Sequence, residues 1–329
     1  MEDIKIEQIK NKNFDIAEGI VNEYNFKPYY YLKQLSEGEK RKLSKGLILN
    51  ALSEPDNLFL VAKDKTGYKG FILAERLGWD SSFFGFNCYK IEHICALGNK
   101  KDQIYIKKLL LDYIFNLRNE KEIKYVTAKI DTNDISSVYA LELKGFNLLC
   151  AIAHFNYPAK KPRRHFKQFG RIRNFRESDL KILQIIAKSS MKYDHFHTDV
   201  RFPKEIADNI YAALIGNCCR GVGADKVFVM EKNGRIAGYA ICQIRHDLST
   251  ILPISIGHIR HLAVLYPEGF GCGPGLQEAA LSWLEERVDI IESATTIQNL
   301  PIIRISLHSG MEIVSSYLRF SRWFKTEPA

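Results

Sequence analysis

Gly257-His-Ile-Arg-His-Leu-Ala-Val-Leu265, continued by Tyr266-Pro-Glu-Gly-Phe-Gly-Cys-Gly-Pro-Gly275 and Leu276-Gln-Glu-Ala-Ala-Leu-Ser-Trp-Leu-Glu-Glu-Arg287, reads as a strand, a glycine-rich turn and an amphipathic helix. Glycines 269, 271, 273 and 275 let the backbone approach a ligand without a Cβ in the way, and the helix that follows aims its unbonded N–H groups at the same spot. A phosphate or pyrophosphate fits such a cradle. Pro274 suits a first helical turn, although it also withdraws one donor. No Gly-Lys-Ser/Thr follows, so the turn is not a Walker loop, and Asp289 and Glu292 are not placed as a dinucleotide fingerprint requires. A tight strand-to-helix turn with no ligand is the competing reading.

Outward from this segment, one order of elements occurs twice. Leu58–Ala62, the turn Lys63–Gly67 and Tyr68–Ala74 form a hairpin in the first half; Lys226–Met230, Glu231–Gly234 and Arg235–Cys242 form its counterpart, with Asn233-Gly234 supplying positive φ. Each half continues with a strand, a helix, a strand, a short helix closed by glycine and a last β-rich stretch. These are 89–96, 104–119, 125–130, 136–144 and 148–157 in the first half, and 257–265, 276–288, 289–297, 301–309 and 311–324 in the second. The expected class is α/β (α+β), with two tandem domains, each a mixed, mostly antiparallel sheet flanked by helices. The boundaries are 1–157, a proline-rich basic linker at 158–167, and 168–329.

The 329 residues are 46% hydrophobic and 26% charged, enough for packed cores. Lys and Arg number 47 against 38 Asp and Glu, and the net charge of +9 favours small anionic ligands without being concentrated enough to demand nucleic acid. Seven cysteines without CxxC spacing read as reduced, buried thiols in a cytoplasmic protein. The charged start MEDIKIEQIKNKN reads as neither a signal peptide nor a membrane span.

Leu262-Ala-Val-Leu-Tyr-Pro267 with Phe270-Gly-Cys-Gly-Pro-Gly275 resembles the acetyl-CoA signature of the GNAT acyltransferase superfamily, with Phe270 where Arg or Gln is usual. Thr295-Thr-Ile-Gln-Asn299 and 301–310 look like the family's second element. Trp79-Asp-Ser-Ser-Phe-Phe-Gly85, Leu143-Lys-Gly-Phe146 and His195–Phe202 with Ile210–Asn217 are similar to the TDP-fucosamine N-acetyltransferase branch. The first half has the strands without the glycine turn, carrying only Gly98 where it belongs. The resemblance therefore implies one acetyl-CoA per chain, held by Leu262, Val264, Leu265, Gly271, Cys272, Gly273, Gly275 and Asn299 of the second half.

The implied activity is N-acetylation of a nucleotide-linked amino sugar by direct attack of its amine on the thioester. Another small amine as acceptor, or a non-catalytic tandem binding protein, are the alternatives. His258 stands where the family often has its base; His261, Arg260 and the pair His195 and His197 are rivals, since strand alternation places 258 and 260 on one face and 261 on the other. A backbone N–H near Val264 or Leu265 would meet the oxyanion. The family's acid is a tyrosine, and here that position is Ser306, with Tyr317 and His308 as substitutes. Trp79 and Phe84, with Phe83 and Phe86, could form an aromatic wall for the acceptor, or simply core. Arg201 and Arg260 could meet a diphosphate. No metal set emerges, because His258 and His261 face apart and lack a carboxylate partner. A homodimer is left open.

Overall fold

The structure, a computed structural model, describes residues 3–9, 15–159, 166 and 169–324. In chain order it contains β1 (Lys5–Gln8), α1 (Asp15–Glu23), α2 (Glu37–Ser53), β2 (Leu58–Asp64), β3 (Gly67–Arg76), α3 (Gly78–Phe84), β4 (Asn87–Ala96), α4 (Lys100–Asn116), β5 (Ile123–Asp131), α5 (Ile135–Leu143) and β6 (Asn147–Pro158). There follow β7 (Arg171–Asn174), α6 (Leu180–Ser190), α7 (His195–Thr198), α8 (Lys204–Cys219), β8 (Lys226–Lys232), β9 (Arg235–Ile244), α9 (His246–Ser249), β10 (Ile256–Val264), α10 (Gly273–Glu285), β11 (Ile290–Thr296), α11 (Leu300–His308) and β12 (Glu312–Trp323).

Two compact units result: residues 1–149 with 317–329, and residues 150–316. The expected division at a single linker differs from this, because most of β6 packs in the second unit and most of β12 in the first. Residues 160–165 and 167–168 of the basic linker lie outside the described residues.

In the first unit β1 to β4 are successively antiparallel, β4 and β5 are parallel, and Tyr317–Trp323 of β12 pairs antiparallel with β5. The second unit repeats the scheme. Strands β7 to β10 are antiparallel in succession, β10 and β11 are parallel, and residues 152–158 of β6 close the row against β11. Each sheet buries both faces. In the first unit one core lies under α4 and α5 around Leu110, Ile114 and Phe320, and another under α1 and α2 around Phe59 and Phe71. In the second, Leu276, Leu281 and Ile291 mark the α10 face, and Leu183, Ile215 and Tyr239 the α6–α8 face.

Local chemistry explains the element ends. Ser36 and Glu39 form a reciprocal cap at α2, Asn99 caps α4 through the N–H groups of Lys101 and Asp102, and Gly145 turns the chain after α5 at φ 69°. Asn233 and Gly234 both have positive φ (51° and 72°), the turn that their sequence implies between β8 and β9.

Candidate functional site

In the second unit β10 and β11 pair only at Ile256–Ile290, Gly257–Ile291 and His258–Glu292. Beyond this point β11 stays with β6 as far as Thr296, while β10 stays with β9 as far as Val264, so the two parallel strands part. A bulge at Arg260 interrupts the β9 register between Ile259 and His261, and such an insertion bends a strand. The resulting wedge is open: Ala294, in the middle of β11, is exposed, and Arg260, His261, Leu262, Val264 and Leu265 are only partly buried.

The bulge corrects the expected alternation. Gly257 and Ile259 pack toward α10, as do Leu262 and Val264, whereas His261 stacks on Tyr239 and lies 6.2 Å from the Tyr211 ring on the α8 side. His258 lines a cavity of about 670 Å³ with Gly221 and Gly223 from the turn after α8 and with Arg260, Gln243 and Arg245. One extra residue thus brings His258, Arg260 and His261 to the same face.

The turn at the mouth of the wedge holds three N–H groups, on Gly271, Gly273 and Gly275, that have no acceptor among the described residues. Phe270 N–H instead reaches Pro267 O, and Cys272 N–H reaches Gly269 O. Cys272 is fully buried and its Sγ approaches Phe169 O at 3.3 Å. The ammonium of Lys232 sits over the turn, 2.9 Å from Phe270 O, while the Phe270 side chain is 76% exposed. Unbonded N–H groups at a helix N-terminus with a cation beside them suit an anionic group.

The glycines also have reasons of their own. A Cβ at Gly269 would lie 2.3 Å from Ala237 O, Gly271 has φ 84°, and a Cβ at Gly273 would lie 3.0 Å from Ile305 Cδ1. Their presence follows in part from the turn's packing rather than from a ligand alone.

Among candidate oxyanion donors, Leu265 N–H is taken by Ala237 O at 2.8 Å. Ladder alternation turns the Val264 N–H the other way, toward the side that β11 has left. Asn299 precedes α11 and its Nδ2 donates to Thr295 Oγ1 at 3.0 Å, beside the wedge strand. Ser306 is fully buried in α11, and its Oγ has no partner among the described residues. Tyr317 belongs to the other unit, opposite Asp131 and with Lys129 Nζ 4.6 Å from its ring centre. His308 lies 5.0 Å, ring to ring, from Phe166.

The rival histidines are occupied. His261 Nδ1 meets Tyr239 OH at 2.9 Å, its Nε2 lies 3.1 Å from Met191 Sδ, and burial, with Arg260 adding to it, lowers its pKa to about 4. His197 is clasped by Asp194 (2.5 Å) and Asp208 (2.9 Å); burial works against its charge, but the two carboxylates outweigh it and its pKa is raised. His195 packs on Phe196 at 3.9 Å. Arg201 forms a two-pronged pair with the buried Asp199 (2.7 and 2.8 Å). Arg260 donates to Gly223 O at 2.6 Å and faces Gln243 Oε1 at 3.3 Å while lining the His258 cavity. Trp79 and Phe84 lie on α3 of the first unit; Trp79 is 42% exposed and packs on Phe83, and Phe84 stacks on Phe86.

Sequence reasoning missed Glu292. It is 4% exposed and pairs across the parallel register with His258; its carboxylate lies 3.6 Å from His154 Nε2 and 3.9 Å from Arg245. The signal was a lone acidic residue inside the apolar run Ile290–Ala294, since an isolated carboxylate rarely enters a core without partners. Among the described residues no group of three or more His, Cys, Asp or Glu is placed to hold a metal, and no helix is long and apolar enough to cross a membrane.

The first unit repeats the wedge and fills it. Strands β4 and β5 part after Ile91–Ala128, with a register break beside Glu92, yet Ile130 and Asp131 are buried. Lys107 from α4, 1% exposed, donates to Asp134 Oδ1 (3.0 Å), Ser136 Oγ (2.8 Å) and Ser137 Oγ (2.7 Å). Tyr24 donates to Asp134 and Tyr30 to Asp131. Burial raises the Asp134 pKa, but Lys107 and these donors prevail and hold it below the usual range.

No family model matches the sequence, and no curated protein matches it. Solved structures do. A GCN5-related N-acetyltransferase from Sphaerobacter thermophilus aligns at TM-score 0.63 and 12% identity over 97% of this chain and 95% of its own. A tandem GNAT protein from the clavulanic acid biosynthesis pathway, determined without acetyl-CoA, aligns at 0.55 and 12% over 99% and 100%. A GNAT-family acetyltransferase from Colwellia psychrerythraea aligns at 0.50 and 11% over 96% and 99%. At such identity the likeness is one of fold: the chain has a tandem GNAT fold, its repeated order of elements having implied the tandem arrangement and the motif at 262–275 the resemblance to GNAT.

Proposed function

We propose that this chain is an acetyl-CoA-dependent N-acetyltransferase of the cytoplasm whose acceptor is the amine of a nucleotide-linked amino sugar, and that its second unit alone holds the acyl donor. The observation carrying the reading is the open wedge between β10 and β11, with three unbonded N–H groups at its mouth and His258 and Glu292 side by side at its base. Gly271, Gly273 and Gly275 would hold the pyrophosphate, with Lys232 adding charge; Leu262, Val264 and Asn299 would line the pantetheine arm.

Acetyl-CoA, when bound, supplies the thioester whose acetyl group passes to the amine. His258 takes the proton that the acceptor ammonium must lose before its neutral amine can attack. The neighbouring buried carboxylate of Glu292 favours the imidazolium so formed. Val264 N–H, facing the wedge, stabilises negative charge on an oxygen held there. Ser306 contributes little acidity, and a thiol of ordinary pKa, about 8.5, can leave without a strong acid. Arg260, in the same cavity as His258, meets an acceptor phosphate. The sugar-nucleotide acceptor rests on the sequence elements similar to the TDP-fucosamine branch and on the net positive charge.

Calorimetry with acetyl-CoA, followed by an acetylation assay on TDP- and UDP-linked amino sugars, tests the reading. One equivalent bound and turnover with such a sugar are expected. Two equivalents would overturn the assignment to the second unit, and no binding would favour a tandem binding protein, whose support is that the turn glycines have packing reasons of their own.

A further inference from the structure

The first unit, which lacks a cofactor turn, has a cavity of its own. It measures about 690 Å³, within the range of small-molecule sites, and lies between α3, the start of β4 and the Arg118–Lys124 connection. Three cationic side chains line it, Arg76, Arg118 and Lys124, against one lining carboxylate, Glu122, and the Asp56 carboxylate that lies 3.7 Å from Arg76. Phe86 and Phe324, both half-buried, supply aromatic walls.

The lining is held in place. Arg76 points two guanidinium nitrogens at Asn87 Oδ1 (3.1 and 2.9 Å), and Asn87 Nδ2 in turn donates to Lys121 O at 2.9 Å, tying the connection to β4. Arg118 is anchored on Phe115 O, and Ile123 N–H closes back on Arg118 O. Phe86 is braced by Phe84 at 5.8 Å and by Trp323 at 5.4 Å. The Trp79–Gly85 element forms one wall of this cavity: Ser81, Ser82 and Gly85 line it.

Fixed guanidinium groups recognise phosphate oxygens, and flat apolar rings take a base by stacking. We propose that this cavity is a nucleotide-binding site, taking a nucleoside diphosphate with its phosphates toward Arg76, Arg118 and Lys124 and its base against Phe86 or Phe324. The ligand is either free nucleotide or the nucleotide end of a larger conjugate. The site does not depend on where the acyl donor binds, which is assigned to the other unit; only the identification of the conjugate as a nucleotide sugar rests on the acceptor proposed above.

Titration of the full chain with UDP, ADP and inorganic pyrophosphate tests it, read by calorimetry and by tryptophan fluorescence, since Trp79 and Trp323 belong to or brace the walls. A nucleoside diphosphate should bind, pyrophosphate more weakly. Arg118→Gln with Lys124→Gln should weaken the nucleotide by roughly tenfold or more, and Phe324→Ser should weaken it without altering pyrophosphate. Both variants should unfold thermally as the wild type does, which shows that they are folded. Tighter binding of a UDP-sugar than of UDP, abolished by the same variants, would identify the conjugate as the ligand. Undiminished nucleotide binding in both variants would place the ligand elsewhere, equal affinity for pyrophosphate and UDP would remove the base contact, and no binding of any nucleotide would end the proposal.

Discussion

Two alanine substitutions two residues apart separate what the glycine turn owes to its own backbone from what it offers a ligand. In Gly269→Ala the new methyl would fall 2.3 Å from Ala237 O, 2.7 Å from Leu265 O and 2.9 Å from Val264 Cβ, and the first two are main-chain atoms that cannot swing aside. Relief requires opening the Leu265 N–H to Ala237 O bond (2.8 Å) and the Gly269 N–H to Leu265 O bond (2.5 Å), and shifting Val264. Two lost bonds and forced repacking amount to about 3–5 kcal/mol. In Gly271→Ala the methyl meets only Phe169 Cδ2 at 3.8 Å, and the penalty is the left-handed backbone at φ 84°. That strain is about 1–2 kcal/mol. At roughly 2–4 °C per kcal/mol, thermal unfolding should fall by about 6–20 °C for Gly269→Ala and by about 2–8 °C for Gly271→Ala. Calorimetry on the folded Gly271→Ala protein then reads the ligand directly: a loss of acetyl-CoA affinity beyond about tenfold means that the ligand needs the bare Cα. Equal destabilisation by the two substitutions would refute the description of the turn.

His258→Ala should lower kcat by about a hundredfold or more while leaving acetyl-CoA affinity in place, measured by steady-state kinetics beside calorimetry. Lys107→Met strands the buried Asp134 carboxylate and should lower stability in urea by about 3–5 kcal/mol, with the double change Lys107→Met, Asp134→Leu recovering part of it. The His197 pKa is raised in the folded state, so its stabilising increment is fully present below the ordinary value of 6.5 and is lost as pH rises through the folded value. Asp194 and Asp208 have lowered values, so theirs is present above 3.8 and lost as pH falls through the folded ones. The urea midpoint of the wild type should therefore exceed that of His197→Gln most between about pH 4 and 6 and converge toward it at alkaline pH.

Much of the fold was legible because its signals are local. The Asn233-Gly234 turn, the glycine after α5 and the apolar runs of β2, β3, β8 and β9 between turn residues each dictate an element without help from distant residues. Where β6 and β12 pair was not legible, since an apolar strand carries no mark of which sheet it joins. The bulge at Arg260 was missed for a related reason: nothing in Ile259-Arg260-His261 announces an extra residue, which only the partner strand's register reveals, and with it went the facing of His261. Likewise His197 read as an available cation because Asp208 becomes its partner only when α7 folds against α8, whereas Asp194 and Asp199, three and two residues from His197 and Arg201, are local partners that the reading of charge alone passed over.

The two units test what a shared topology does and does not confer. Both break register near the same point of the fourth strand of their sheets, and both let their parallel pair diverge there. Divergence creates space, and space in a protein interior is either filled or wetted. The first unit fills it with charge, placing Lys107 on the apolar side of α4 and Asp134 at the start of α5, and with Tyr24 and Tyr30 from the segment following α1. Its helix after the diverging strand begins at a side-chain cap, Asn99, whose oxygen already occupies the N–H groups of Lys101 and Asp102. The second unit begins the corresponding helix with no side-chain cap and leaves the N–H groups of Gly271, Gly273 and Gly275 unbonded among the described residues. An uncapped helix N-terminus over an unfilled wedge is a poor arrangement for stability alone. It becomes a favourable one when an anion and a thin apolar chain are supplied from solution, and this contrast, more than the glycines themselves, argues that the second unit is the one that binds.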